Sequence, residues 1–291
     1  MAGLEKSITS SEVVSDETGR QYHIALAPGE LAEYIILVGD PGRATQYAAL
    51  LENIRIEKKN REFYTYTGEY KGTEISVMST GIGPSNVEIA LVEIYQITKN
   101  PTFIRVGTSG GLQEHVNQGD LVISTGAVRL EDTSKFFVVD GYPAVASYEP
   151  NLALVSACEA AQHPYHLGLT ASASGFYGAQ GRQIPGVHIK YPQLPDELSK
   201  MNVYNFEMES STLFTLSTML GLRASTICLV LNNRQRGTFI DPEGYKQGEK
   251  NCMIIGLEAF KYLEEMDLEK EKKGKKYWFP MPAQPSEIPA P

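Results

Sequence analysis

Six times along this chain a short apolar run closes on a cluster of small or turn-forming residues. Tyr34–Val38 leads into Gly39-Asp-Pro-Gly-Arg43, Ile75–Met78 into Ser79-Thr-Gly-Ile-Gly-Pro84, and Phe103–Val106 into Gly107-Thr-Ser-Gly-Gly111. Asp120–Ser124 leads into Thr125-Gly126, Leu167–Thr170 into Ala171–Gly175, and Ser225–Val230 into Leu231-Asn-Asn-Arg234. Such runs read as buried strands ending in tight turns. Stretches of helical spacing lie between them. In 85–97 the apolar positions are Val87, Ala90, Leu91, Ile94 and Ile97, and Pro84-Ser85 marks the start. Residues 150–161, 209–220 and 242–266 read the same way; Gly221 closes the third of these four helices. Apolar strands alternating with amphipathic helices predict an α/β fold around a parallel or mixed sheet. No composition break divides residues 1–266, which are expected to form a single domain. Residues 267–291 differ: Lys270–Lys276 is basic, and five of the 16 prolines (280, 282, 285, 289 and 291) fall in the last dozen residues. This Lys/Pro-rich segment reads as an arm, either disordered or packed over a neighbouring subunit.

Composition excludes several classes. Hydrophobic residues make up 42% and charged residues 21% of 291, enough for a sizeable core and too apolar for a disordered chain. Cys158, Cys228 and Cys252 are far apart, which suggests neither a zinc site nor a disulfide framework. A formal net charge of -9 argues against nucleic-acid binding through a basic surface. An anion would have to be held in a local cationic pocket. No stretch approaches the roughly 20 apolar residues of a membrane span, and Met1–Arg20 is polar, so a cytoplasmic protein with no membrane partner is expected.

In open α/β sheets, ligands bind at the carboxyl ends of strands. Arg105 sits there between Ile104 and Val106, and a buried guanidinium needs a partner. That partner is either a buried carboxylate or an oxyanion facing Gly107–Gly110. Arg43, on the glycine turn after Val38, is a second cation whose planar fork suits phosphate oxygens. Three standard motifs fail. Gly81-Ile-Gly-Pro-Ser-Asn86 lacks the third glycine and the later acid of a dinucleotide site. No P-loop signature exists. Gly107-Thr-Ser-Gly-Gly111 matches G-x-S-x-G, but a nucleophile elbow needs a helix next, and 112–119 is short and polar. The histidines (23, 115, 163, 166 and 188) have no metal-ligand spacing; a structural or solvated role is the default for His23. Glu207 and Glu209 flank Met208; a carboxylate there caps the following helix or accepts both hydroxyl protons of a diol such as ribose. Phe176, Gln180 and Arg182 form either an ordinary polar loop or a set that stacks on and reads a planar base.

Taken in order, Gly39–Arg43, Asn60-Arg-Glu-Phe63, Ser79–Gly83, Arg105–Gly110, Phe176–Arg182, Phe206–Ser210 and Asn233-Arg234 make the chain resemble the nucleoside phosphorylase-I family, from about Tyr22 to Phe260. The resemblance is closest to the branch that cleaves uridine. It implies one α/β domain with a mixed, partly closed, barrel-like sheet flanked by helices. It also implies a pentosyltransferase: uridine and phosphate become uracil and ribose 1-phosphate, reversibly, in pyrimidine salvage or catabolism. A purine nucleoside phosphorylase or a nucleosidase of the same fold is the alternative, and a non-catalytic nucleoside-binding protein is a further one. Carried over residue by residue, Gly39, Arg43, Arg105 and Thr108 form the phosphate site, with Arg61 from a neighbouring subunit. His23, Met208 and Glu209 hold ribose, and His23 too crosses an interface. Phe176, Gln180, Arg182 and Arg234 surround the base. The resemblance requires no metal or organic cofactor; inorganic phosphate is the co-substrate. Some members hold a structural potassium ion at a subunit interface, and Glu62, Ile82 and Ser85 fall near the matching positions. A homodimer or hexamer with shared active sites is implied. Purine-specific members usually place an aspartate in the stretch occupied here by Leu231–Arg234; its lack, with the Gln-x-Arg pair, favours a pyrimidine. Tyr22 replaces the usual phenylalanine, and the turn at Ile82-Gly-Pro84 is one residue shorter than in bacterial members.

Overall fold

The strand that begins at Thr102 does not turn at Gly107. It runs straight through the glycine- and serine-rich segment to Gly111. The same correction applies at Thr125-Gly126, at Ala171–Ala173 and at Leu231–Asn233, all of which lie within strands rather than turns. Small side chains were not stop signals here. They let other strands close in, and the exposed backbone groups are satisfied across the ladder rather than in a turn.

The computed structural model describes residues 10–280. Its strands are β1 (Tyr34–Val38), β2 (Glu52–Asn60), β3 (Phe63–Tyr70), β4 (Thr73–Ser79), β5 (Thr102–Gly111), β6 (Leu121–Leu130), β7 (Ala144–Val145), β8 (Tyr165–Ala173), β9 (Val203–Glu207), β10 (Arg223–Asn233) and β11 (Thr238–Phe239). The helices are α1 (Pro41–Ala48), α2 (Pro84–Ile97), α3 (Tyr148–Ala161), α4 (Leu194–Lys200), α5 (Ser210–Met219) and α6 (Pro242–Lys273). Strands β5, β10, β6, β8 and β9 pair in a ring, because β5 bonds both β9 and β10. This is the mixed, barrel-like sheet that the resemblance implied. Strands β1, β4, β3 and β2 extend the sheet outward from β5.

The long β5 is where the two parts meet. Its first half pairs with β1 as far as Arg105, and β9 takes over at Gly110. Val106–Ser109 therefore has β10 on one edge and no strand on the other, which opens a gap at the end of β1. Two apolar layers fix this frame. One buries Ile36, Val38, Ile104 and Val106 against α1, α3 and α6; the other buries Ile35, Leu37 and Phe103 against α2 and α5.

Helix α6 runs seven residues past the expected end at 266, so the first part of the basic segment is helical. Ion pairs explain the extension. Asp267 accepts two hydrogen bonds from Arg223, at 2.7 and 2.8 Å, and Lys270 reaches the buried Glu149 at 2.6 Å. Beyond the Gly274 cap, the Trp278 backbone N–H donates to Glu149 at 2.9 Å and its indole N–H to Glu269 at 2.6 Å. The prolines at 282, 285, 289 and 291 lie outside the described residues.

This latch predicts a pH dependence. Burial alone would raise the Asp267 carboxyl, but hydrogen bonds from Arg223 and Lys270 outweigh it and hold the pKa at about 2. A pKa depressed in the folded state stabilises above the unfolded value near 3.8, and the contribution fades as pH falls toward 2. Asp267→Asn is expected to cost about 2 kcal/mol at pH 7 and almost nothing near pH 2. Urea unfolding at several pH values checks it; an equal deficit at both ends would refute it.

Candidate active site

The gap beside β5 opens into a cavity of about 690 Å³. Its floor carries Gly39 from the β1–α1 turn, Arg43 from the first turn of α1, and Arg105, Gly107 and Thr108 from β5. Met208 and Glu209 enter from the β9–α5 junction. Phe176, Gln180 and Arg182 form the far side, with Leu231 and Asn232 of β10. Phe239 of β11, 71% exposed, stands at the mouth.

Arg105 is buried, and of the two kinds of partner that the sequence left open it has the carboxylate. Its Nη2 donates to Glu209, and Glu207 lies 3.7 Å from its Nε. Burial would lower its pKa, but the charges of Glu209 and Glu207 raise it, so the guanidinium stays charged. Nε and Nη1 are buried with no hydrogen-bond partner, which leaves two donors near the cavity for an acceptor. Gly107 makes this conformation feasible: a Cβ there would sit 2.6 Å from Arg105 Nη1.

The two glutamates divide the roles that sequence could not separate. Glu207 accepts the N–H groups of Glu209 at 2.8 Å and Ser210 at 2.9 Å, and the Ser172 hydroxyl, so it caps the start of α5. Burial, followed by the charge of Glu209, pushes its pKa up. Glu209 instead spans the cavity wall, bonded to Arg105 and to the Gly83 N–H at 2.7 Å.

The far side is cationic. The Arg182 guanidinium lies 4.0 Å above the Phe176 ring and donates from Nε to the Phe176 carbonyl at 3.0 Å. Burial lowers its pKa. Arg234 does not line the cavity but stands behind Gln180, donating to its carbonyl at 3.2 Å. Burial, then the neighbouring charge of Arg182, pulls Arg234 down to about 10, and its Nη1 is buried without a partner. In the Leu231–Arg234 stretch, Asn233 is spent on structure: Nδ2 donates to the carbonyls of Gln113 and Val116, both at 2.8 Å. Asn232 lines the cavity. No carboxylate stands on this stretch.

His23 and Arg61 are not brought to the cavity. They lie together with Tyr22 elsewhere on the chain. Arg61 donates to the Tyr22 hydroxyl at 3.1 Å, and Asn60 donates to the His23 carbonyl at 2.7 Å. His23 Nδ1 is 2.6 Å from Glu93, beside a smaller cavity of about 200 Å³. Of the three potassium candidates, Glu62 and Ile82 line the main cavity, whereas Ser85 shares a hydrogen bond with Thr133 at 3.3 Å. Ser109 lines the cavity, but no histidine does, and β5 continues through it as a strand; the arrangement is not a nucleophile elbow. Sequence reasoning missed Glu249 and Tyr245, which stand behind Arg43, and Phe239. Nothing in the polar first turns of α6 distinguishes Glu249 from the charged residues around it.

A fixed guanidinium with idle donors, a carboxylate beside it and a cationic, aromatic far wall describe an enzyme that brings an oxyanion against a polar organic substrate. The chain belongs to the phosphorylase superfamily, whose family model matches residues 33–259. It is 45% identical to the uridine phosphorylase of Thermococcus kodakarensis over 281 residues, 95% of this chain and 99% of the relative. It is 37% identical to the uridine phosphorylase of Haemophilus influenzae, over 82% of this chain and 96% of the relative. It is also 34% identical to the guanosine phosphorylase of Halorubrum lacusprofundi, over 82% of this chain and 98% of that one.

Proposed function

We propose that this chain catalyses the reversible phosphorolysis of uridine to uracil and ribose 1-phosphate. The observation that carries this reading is the set of groups that line one cavity: Arg43 and Arg105, Glu209 bonded to Arg105, and Gln180 and Arg182. That set suits phosphate, ribose and base. The C1′–N1 bond breaks with its electron pair going to the base, and a phosphate oxygen then forms the new bond to C1′. Glu209 accepts hydrogen bonds from the ribose hydroxyls. Gln180 and Arg182 face the charge that develops on uracil, which afterwards takes a proton from solvent. Positioning and preorganised charge do most of the work. Inorganic phosphate is the co-substrate.

A second copy of the chain completes the site in this reading. Two arginines on the floor are matched against three carboxylates, Glu207, Glu209 and Glu249. A phosphate dianion needs a further cation, and Arg61 of a neighbouring copy supplies it while His23 reaches the ribose. A homodimer or hexamer follows. We assign the enzyme to pyrimidine salvage in the cytoplasm; among the described residues no helix is long and apolar enough to cross a membrane. The guanosine phosphorylase among the relatives favours the purine alternative, and the cationic far wall favours uracil. Base release from uridine and from inosine, each with and without phosphate, decides between them. Phosphate-dependent uracil release with little hypoxanthine is the expected result. Hypoxanthine release would move the assignment to purines, and release without phosphate would make the protein a nucleosidase.

A further inference from the structure

A carboxylate stands where an anion site should least tolerate one. Arg43, third residue of α1, lines the cavity with only 9% of its side chain exposed. Its Nε donates to Glu249 Oε1 at 2.9 Å, and the Tyr245 hydroxyl donates to the same oxygen at 2.8 Å. Glu249 and Tyr245 are one turn apart on α6, so their side chains meet on one face. Helix α6 comes close enough because residue 248 is glycine: a Cβ there would sit 2.8 Å from Leu229 Cδ1. Leu229 pairs in register with Thr108, so the contact that seats Glu249 is made one strand away from the cavity floor.

Coulomb's law alone would have the Glu249 charge repel a bound oxyanion. The arrangement makes sense if geometry outweighs that repulsion. We propose that Glu249, braced by Tyr245, is a positioning residue for the oxyanion co-substrate. It engages Arg43 side-on through Nε, with Tyr245 against the same guanidinium, and leaves the remaining guanidinium donors for the anion. A long side chain that would lose rotamer freedom on binding is then already ordered. This inference rests on the phosphate role given to Arg43 above.

The test uses inorganic phosphate as the probe, on the intact protein and on Glu249→Ala, Glu249→Gln and Tyr245→Phe. Steady-state cleavage of uridine is measured together with the rise in melting temperature that phosphate alone produces. Glu249→Ala is expected to raise the KM for phosphate about tenfold while the KM for uridine stays within about twofold. Glu249→Gln keeps an acceptor oxygen and Tyr245→Phe keeps the ion pair, so each is expected to give a smaller rise of about threefold. The phosphate-induced melting shift should shrink in the same order. A purely structural ion pair would lower the melting temperature equally with and without phosphate and leave the phosphate KM unchanged. That result overturns the proposal, as does a lower phosphate KM in Glu249→Gln, which would mean that charge repulsion dominates. If Glu249→Ala does not fold, the other two variants carry the test. An unmodified protein that phosphate stabilises but that cleaves no nucleoside would sink the phosphorylase reading and leave this one testable by melting alone. An unmodified protein that phosphate does not stabilise would sink the positioning role.

Discussion

Arg105→Ala is expected to lower kcat/KM for phosphorolysis by about a thousandfold, the upper end of the range found when a preorganised donor is removed from a transition-state charge site. Two effects add. The variant loses the buried Nε and Nη1 donors, neither of which is hydrogen-bonded within the chain. It also leaves Glu207 and Glu209 buried together without their counter-cation. The Glu207 carboxyl, already pushed up by burial and by the charge of Glu209, is then driven further toward the neutral form. Breaking a buried ion pair from one side commonly costs about 3–5 kcal/mol, so the melting temperature should fall as well. Arg105→Lys separates the two effects. It restores a positive charge but not the planar fork, so stability should recover more than phosphate use does. Phosphate saturation curves for both variants check the expectation. A phosphate KM unchanged in Arg105→Ala would remove Arg105 from the anion site.

Gln180→Ala is expected to lower kcat/KM for uridine by up to about a hundredfold, the equivalent of the roughly 1–3 kcal/mol lost when a buried polar group is left without its hydrogen-bond partner. Gln180 is only 3% exposed, and its backbone carbonyl is held by Arg234. Its amide offers a donor and an acceptor to one edge of a planar base, which a cationic neighbour alone cannot do. The phosphate KM should stay within about twofold, because the floor of the cavity is untouched. Equal losses in both substrates, or none, would count against base reading. Arg182 should remain over Phe176 in this variant, so the loss reports the amide rather than a collapsed wall.

Some of this was legible in the chain itself, for identifiable reasons. Arg105 stood out because a charge inside an apolar run needs a buried partner, and that argument does not depend on knowing the partner. The four longer helices were visible from their spacing, and Gly221 follows directly on α5 and Leu220. Glu207 and Glu209 were visible as a pair but not as individuals. Two residues apart at a strand-to-helix junction, either could cap α5, and only the backbone path shows that Glu207 takes the N–H groups. His23 and Arg61 could be named only by resemblance, since nothing local marks them, and in a single chain they stay outside the cavity.

The sequence by itself determined the α/β class, the apolar strands and helix faces, and the residue types available for anion, sugar and base. These are local properties: periodicity, turn chemistry and the cost of burying charge act within a few residues. Only the tertiary structure decided where β5 ends, because the bonds that extend it through Gly107–Gly111 come from β10 and β9, far along the chain. Only it decided that α6 continues to Lys273, through ion pairs with Arg223 and Glu149. Only it brought Glu249 behind Arg43, 206 positions away. Each of these outcomes depends on partners distant in sequence, and no local pattern encodes a distance across the fold.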